Sequence, residues 1–302
     1  MQLPYVTLDV FTDRRFGGNP LAVLPDARAI PEEALQRIAI EFNYSETAFV
    51  FPPDDPKHTR KVRIFTPGAE IPFAGHPTVG TAFALAALGE IPLDEGDARV
   101  VLEEGVGPVP VLIRAEHGRP VFSQLSVARL PEAGPPPPEA ALLAELLSLR
   151  EADLAGGSSV PQAFTCGLPF LFVPVRDRDA VRRARIRPDI WERELASFWS
   201  PDIMVFSRDP ERPGAHVRAR VFCPGVNVPE DPATGSACAA LGGYLAQRDR
   251  TASGLLRYVV EQGVEMGRPS VLELEVEKSD GKISAVRVGG RSIMVMKGTI
   301  EV

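Results

Sequence analysis

The stretch RIFTPGAEIP, Arg63 to Pro72, returns later in the chain as RVFCPGVNVP, Arg220 to Pro229, with half of its positions identical. Each copy opens, after a proline-containing turn, into a run of small and apolar residues. These runs are GHPTVGTAFALAAL, Gly75 to Leu88, and EDPATGSACAALGGYLA, Glu230 to Ala246. The polar residues differ at the joins: His76 in the first copy, Asp231 with Ser236 in the second. A repeated frame with divergent joins points to one composite site built from two related halves.

Neither apolar run has a charged face. A helix that is apolar all round is buried on every side, so each is expected inside a wrapping of strands. The alternating runs YVTLDVF, LAVLP, TAFVFPP, RKVRIFTP, ARVVLEE and VPVLIRAE read as strands bounded by Gly, Pro and Asp, and the second half repeats the order. The expected class is α+β. Two similar domains are expected, each a strand-rich, barrel-like sheet around a central apolar helix. The first covers residues 1–120, completed by the C-terminal strand 288–302; the second covers 121–287, with the active site in the cleft between them. Further helices are expected from Pro31 to Glu41, with the proline suited to a first turn, from Ala140 to Leu149, and around Asp177 to Ala184. The cluster PEAGPPPPEA, Pro131 to Ala140, reads as a stiff linker or surface loop.

Composition narrows the function. A chain of 302 residues with 44 % apolar content holds two cores of ordinary size. Its net charge of -7 argues against nucleic acid, whose phosphates call for clustered Lys and Arg. The one basic cluster, VRRARIR, sits beside Asp177, Asp179 and Asp189 and reads as a solvated helix face. The first residues read as a strand, not a leader, and no apolar run approaches the length of a membrane span. Cys166, Cys223 and Cys238 show no paired spacing, which fits a reducing cytoplasm. The four histidines lack metal-ligand spacing, and neither a dinucleotide fingerprint nor a phosphate loop is present. The expected chemistry therefore runs on side chains alone, with no cofactor and no metal.

Four polar positions adjoin apolar elements. Glu46 follows Ser45 at the head of the strand in FNYSETAFVF; alone, it reads equally as a surface carboxylate or a cap. His76 precedes Pro77 at the mouth of the first buried helix, and Asp231 precedes Pro232 before the second. Both also fit simple helix capping. Ser236 reads as a helix hydroxyl or a ligand to substrate. Together they make a carboxylate, an imidazole and a second carboxylate, which is a proton-transfer set. The helix mouths at the two joins offer free N–H groups and partial positive charge, suited to a carboxylate.

The strings DVFTDRRFGGNPLAVL, EFNYSETAFVFPP, RIFTPGAEIPFAGHPTVGTA, FCPGVNVPEDPATGSACAAL and QGVEMGRPS resemble the phenazine-biosynthesis PhzF-like family, in order and over nearly the whole chain. The resemblance implies a diaminopimelate-epimerase-like fold and a homodimer. It implies an isomerase acting on trans-2,3-dihydro-3-hydroxyanthranilate or another small carboxylate. By it, Glu46 matches the catalytic acid/base, and His76, Asp231 and Ser236 match supporting residues. The backbone at Gly75 and Gly235, with Ser45, would bind substrate. Glu46 would take a proton from one carbon and return it to another.

Other readings remain beside this one. A racemase of the same fold would use two cysteines, one at each helix mouth, but FAGHPTVG contains none, and Cys238 falls inside the second helix. A hydrolase would use Ser236 as nucleophile, although no GxSxG elbow surrounds it. A non-catalytic carboxylate-binding protein could retain the same fold.

Overall fold

The computed structural model describes residues 1–93 and 96–302 and divides into two compact units. Unit 1 is Met1–Ala128 with Arg287–Val302; unit 2 is Arg129–Val286. In unit 1 the order is β1 (Gln2–Val10), β2 (Asn19–Leu24), α1 (Glu32–Phe42), β3 (Glu46–Phe51), β4 (Arg60–Phe65), β5 (Glu70–Ile71), α2 (Gly75–Ala87), β6 (Ala98–Glu104), β7 (Gly107–Glu116) and β8 (Arg119–Ser126). Next come β9 (Glu132–Ala133), α3 (Ala140–Leu146), β10 (Gln162–Thr165), β11 (Pro169–Pro174), α4 (Arg178–Arg183), α5 (Pro188–Glu194), β12 (Asp202–Ser207), β13 (Val217–Cys223) and β14 (Val228–Asp231). Then α6 (Gly235–Arg248), β15 (Gly254–Gln262), β16 (Ser270–Ser279), β17 (Lys282–Gly290) and β18 (Ser292–Glu301) close the chain.

The two units reuse one pattern of pairing. In unit 1, β3 runs antiparallel to β4, which pairs with β5 on its other side and parallel with β6. In unit 2, β12 runs antiparallel to β13, which pairs with β14 and parallel with β15. Each sheet wraps one apolar helix. Residues Gly75 to Ala86 of α2 are all buried, and α2 packs on β1, β2, β3, β6, β7, β8 and β18. Residues Gly235 to Ala246 of α6 are likewise buried, packed on β9, β10, β11 and β16. The chain is thus α+β, strand-rich around apolar helices. Small residues permit the close approach: a Cβ on Gly80 would lie 2.6 Å from Leu21 Cδ2 and from Val10 Cγ2.

Several local expectations shift. Strand β8 forms a hairpin with β7, so the division falls after Ala128 and not near residue 120. The proline-rich cluster is not wholly a linker, because Glu132 and Ala133 form β9 against β10. Helix α3 stops at Leu146, short of Leu149, where Ser148 takes a left-handed backbone at φ 57°. The basic cluster is only partly a solvated face, since Arg183 also holds the fully buried Asp153. Among the described residues no helix is long and apolar enough to cross a membrane.

Candidate functional site

In unit 1 strand alternation aims two side chains, Glu46 and Asn19, at one helix end. Glu46 opens β3 directly beside Leu21 of the parallel β2. Leu21 abuts Gly80, so this face of the sheet looks at α2. Asn19, two residues before Leu21, shares that face because side chains along a strand alternate. His76 is the second residue of α2, buried to 3 % exposure. Its Nε2 lies 3.4 Å from Glu46 Oε2, and its Nδ1 lies 3.1 Å from Asn19 Nδ2. Ser45 Oγ donates to Asn19 Oδ1 at 2.9 Å. The structure therefore joins Ser45 to His76 through Asn19, a residue to which the sequence alone gives no role, and sets His76 against Glu46.

The chain reaches Asn19 by a turn that only glycine fits. Gly18 has φ +62°, and a Cβ there would lie 2.3 Å from the Val10 carbonyl oxygen.

Electrostatics set the protonation of this group. Burial pushes the His76 pKa down to about 3, outweighing an opposing pull from the Pro20 carbonyl. The imidazole is neutral. The Asn19 amide nitrogen lies 3.1 Å from Nδ1, and Nε2 faces the Glu46 carboxylate. At 3.4 Å this contact is long, as catalytic hydrogen bonds often are without substrate. The arrangement can hold a carboxylate in place as a base, with a neutral imidazole behind it.

In unit 2 Asp231 ends β14, before the helix N-cap Thr234. Thr234 Oγ1 donates to Asp231 Oδ2 at 2.7 Å. Gln262, at the end of β15, donates to the Asp231 carbonyl at 2.7 Å and to Thr234 Oγ1 at 3.0 Å, and accepts from Thr234 N–H at 3.2 Å. Asp231 is thus the last residue of a strand and not the helix cap. By helix position the counterpart of Gly75–His76 is Gly235–Ser236, so Ser236, not Asp231, occupies the place of His76. Neither α2 nor α6 has a side-chain cap, which leaves first-turn donors open to an anion.

The thiols are remote from two-base chemistry. Cys223 ends β13, and Cys238 lies within α6, where burial pushes its pKa far above the ordinary range. Among the described residues no group of three or more His, Cys, Asp or Glu is placed to hold a metal ion.

Residues 8–298 match the PhzC-PhzF family, described as phenazine biosynthesis-like protein. The chain belongs to that family. An uncharacterized isomerase of Mesorhizobium japonicum is 39 % identical over 98 % of both chains. The trans-2,3-dihydro-3-hydroxyanthranilate isomerase of Pseudomonas aeruginosa is 34 % identical, covering 97 % of this chain and 98 % of its own. A crystal structure of a Bacillus anthracis PhzF-family protein superposes with a TM-score of 0.89 at 25 % identity over all of both chains. This PhzF-family chain is an isomerase. Two of its site residues, Asn19 and Gln262, carried a sequence signal: each lies in a string that carried the resemblance, GGNP and QGVEMG. Their roles emerge only from their hydrogen bonds.

Proposed function

We propose that this isomerase moves a proton between two carbons of a small unsaturated carboxylate, with Glu46 as general acid and base and without a cofactor. The reading is carried by the Glu46–His76 contact, in which a buried neutral imidazole directs Nε2 at the carboxylate. Glu46 removes a C–H proton as carboxylate and, as carboxylic acid, returns it to a second carbon; no proton is gained or lost. A positioned acid/base of this kind contributes about 10²–10⁴-fold. The uncapped mouth of α2, with the Gly75 backbone, suits the substrate carboxylate. Asp231, Gly235 and Ser236 are assigned to the same reaction, on the strength of the repeated frame and the matching helix mouth in unit 2.

The substrate class follows the Pseudomonas relative: dihydro-hydroxyanthranilate or a related cyclic unsaturated acid. The test is deuterium incorporation from D₂O into dihydro-hydroxyanthranilate and a panel of small unsaturated acids, followed by mass spectrometry. Wild type should incorporate label. Glu46→Gln, with an unchanged circular dichroism spectrum, should lose it by about 10²–10⁴-fold. Equal labelling by the variant would remove Glu46 from the mechanism.

A further inference from the structure

The repeated frame gives the strand that carries Glu46 a counterpart in unit 2. In unit 1 Ala48, Ile64 and Ile71 stand side by side across β3, β4 and β5, and Glu46 lies two residues before Ala48. In unit 2 Met204, Val221 and Asp231 stand side by side across β12, β13 and β14, and Asp202 lies two residues before Met204. The strand on the other side agrees. Glu46 is registered with Leu21 of the parallel β2, and Asp202 with Phe170 of the parallel β11. By register Asp202 is therefore the counterpart of Glu46, a carboxylate at the head of the same strand.

Side-chain alternation gives its direction. Ile203 and Val205 join the core that also holds Val181 of α4 and Ile190 of α5. Phe206 packs instead on Tyr244 of α6, with ring centroids 5.3 Å apart. Asp202, four residues before Phe206, shares that α6-facing side of the sheet. Asp231 shares it too, and Thr234, the N-cap of α6, donates to its Oδ2. Neighbouring strands lie ~4.8 Å apart and each residue rises ~3.3 Å, so the Cα atoms of Asp202 and Asp231 are about 12 Å apart. That span suits a small molecule.

The two strand-head carboxylates differ in company. Glu46 lies against the His76 imidazole, whereas Ser236 stands at the corresponding place in α6. Asp202 Oδ1 accepts the Gly225 N–H at 2.9 Å. In unit 1 Thr66 Oγ1 accepts the Gly68 N–H at 3.1 Å, and the repeat has Cys223 in place of Thr66. That bond uses one oxygen. Among the described residues, Oδ2 has no hydrogen-bond partner and no cation pairs with Asp202. Asp202 is only 8 % exposed, and burial raises its pKa to about 6, against a smaller lowering by the Gly225 N–H. At neutral pH it is a buried carboxylate with one oxygen unsatisfied, and such a group calls for a positive partner.

We propose that Asp202 is a specificity residue of this isomerase, accepting a hydrogen bond from an ammonium group of the substrate. The assignment rests on the proposed isomerisation, since it takes the α6 mouth to be part of the substrate site. The two carboxylates then have separate tasks. Glu46, backed by a neutral imidazole, moves the proton; Asp202, with none beside it, holds positive charge. Within the proposed class of unsaturated acids this selects those that carry an amino group, as dihydro-hydroxyanthranilate does.

The probes are 2-aminocyclohexanecarboxylate and cyclohexanecarboxylate, each titrated by calorimetry into the full-length protein at neutral pH. Wild type should prefer the amino acid by on the order of tenfold or more, as a hydrogen bond between charged groups provides. Asp202→Asn keeps an oxygen for the Gly225 N–H and should erase that preference, with cyclohexanecarboxylate bound as before. Asp202→Ser, whose hydroxyl can accept an N–H as Thr66 does, is the second variant if the first does not fold. Glu46→Gln should keep the preference, so loss of proton exchange and loss of ammonium recognition are separate results. Equal wild-type affinity for the two acids, or no binding of either at millimolar concentration, would overturn the proposal. So would a variant of Asp202 that keeps the preference, or one that weakens both acids alike, as a purely structural residue would.

Discussion

At the scale of single residues, the contact between Glu46 and His76 depends on Asn19. Asn19 is fully buried, and its amide nitrogen lies 3.1 Å from His76 Nδ1. Asn19→Asp keeps the shape but puts an anion beside the ring. It should raise the His76 pKa, since a nearby anion favours imidazolium. Turnover should fall on the order of tenfold or more, as a charged ring beside Glu46 weakens it as a base. Nitrogen-15 NMR of the imidazole across a pH series reads the titration directly, and an unshifted His76 would refute the role. A purely structural Asn19 would lower stability without changing that titration. Glu46 and His76 were legible in the sequence because they interrupt apolar runs; Asn19 was not, because an asparagine after two glycines reads as a turn residue.

At the scale of elements, α2 is held by packing and not by its termini. Burial from Gly75 to Ala86 leaves no face for solvent, and Gly80 meets β1 and β2 with no room to spare. Gly80→Ala improves intrinsic helix propensity, yet its methyl would sit 2.6 Å from two side-chain carbons. Overpacking of this kind costs about 1–3 kcal/mol, and the net effect expected in urea denaturation is destabilisation. A stabilised variant would show that the strands yield around the helix. The two helices themselves were plain from their lack of charge. Their starting residues were not, because β14 extends to Asp231 and the turn through Thr234 delays α6 until Gly235. That delay makes Ser236 the counterpart of His76.

At the scale of the whole molecule, buried groups impose opposing pH dependences on folding. His76 is depressed to about 3, so its contribution is present above the unfolded value near 6.5 and is lost as pH falls toward 3. Glu104 is raised to about 8, so its contribution is present below the unfolded value near 4.5 and is lost as pH rises toward 8. Asp202, raised by burial to about 6, acts in the same sense as Glu104 between its unfolded value and pH 6. Between about pH 4.5 and 6 these slopes oppose one another. From pH 6.5 to 8 the loss at Glu104 outweighs the last of the gain at His76, and stability should decline by on the order of 1 kcal/mol. Denaturant unfolding at pH 6.5 and 8 should show this decline in wild type and not in Glu104→Gln. An equal decline in both would assign it elsewhere.

The sequence by itself determined the duplicated strand–turn–helix frame, the α+β class and the pair of buried helices, because periodicity and the absence of charge are local properties. It also singled out Glu46, His76, Asp231 and Ser236, since each stands where an apolar element should continue. Only the tertiary structure decided that Asn19 and Gln262 hold the two helix mouths. It also decided that Arg218 bridges Glu261 and Glu265 in unit 2 while Lys61 turns to Asp54 in unit 1, and that Glu104 is buried against Thr78. Those facts depend on strand register and on which proton each buried atom shares, and both arise from residues far apart in the chain.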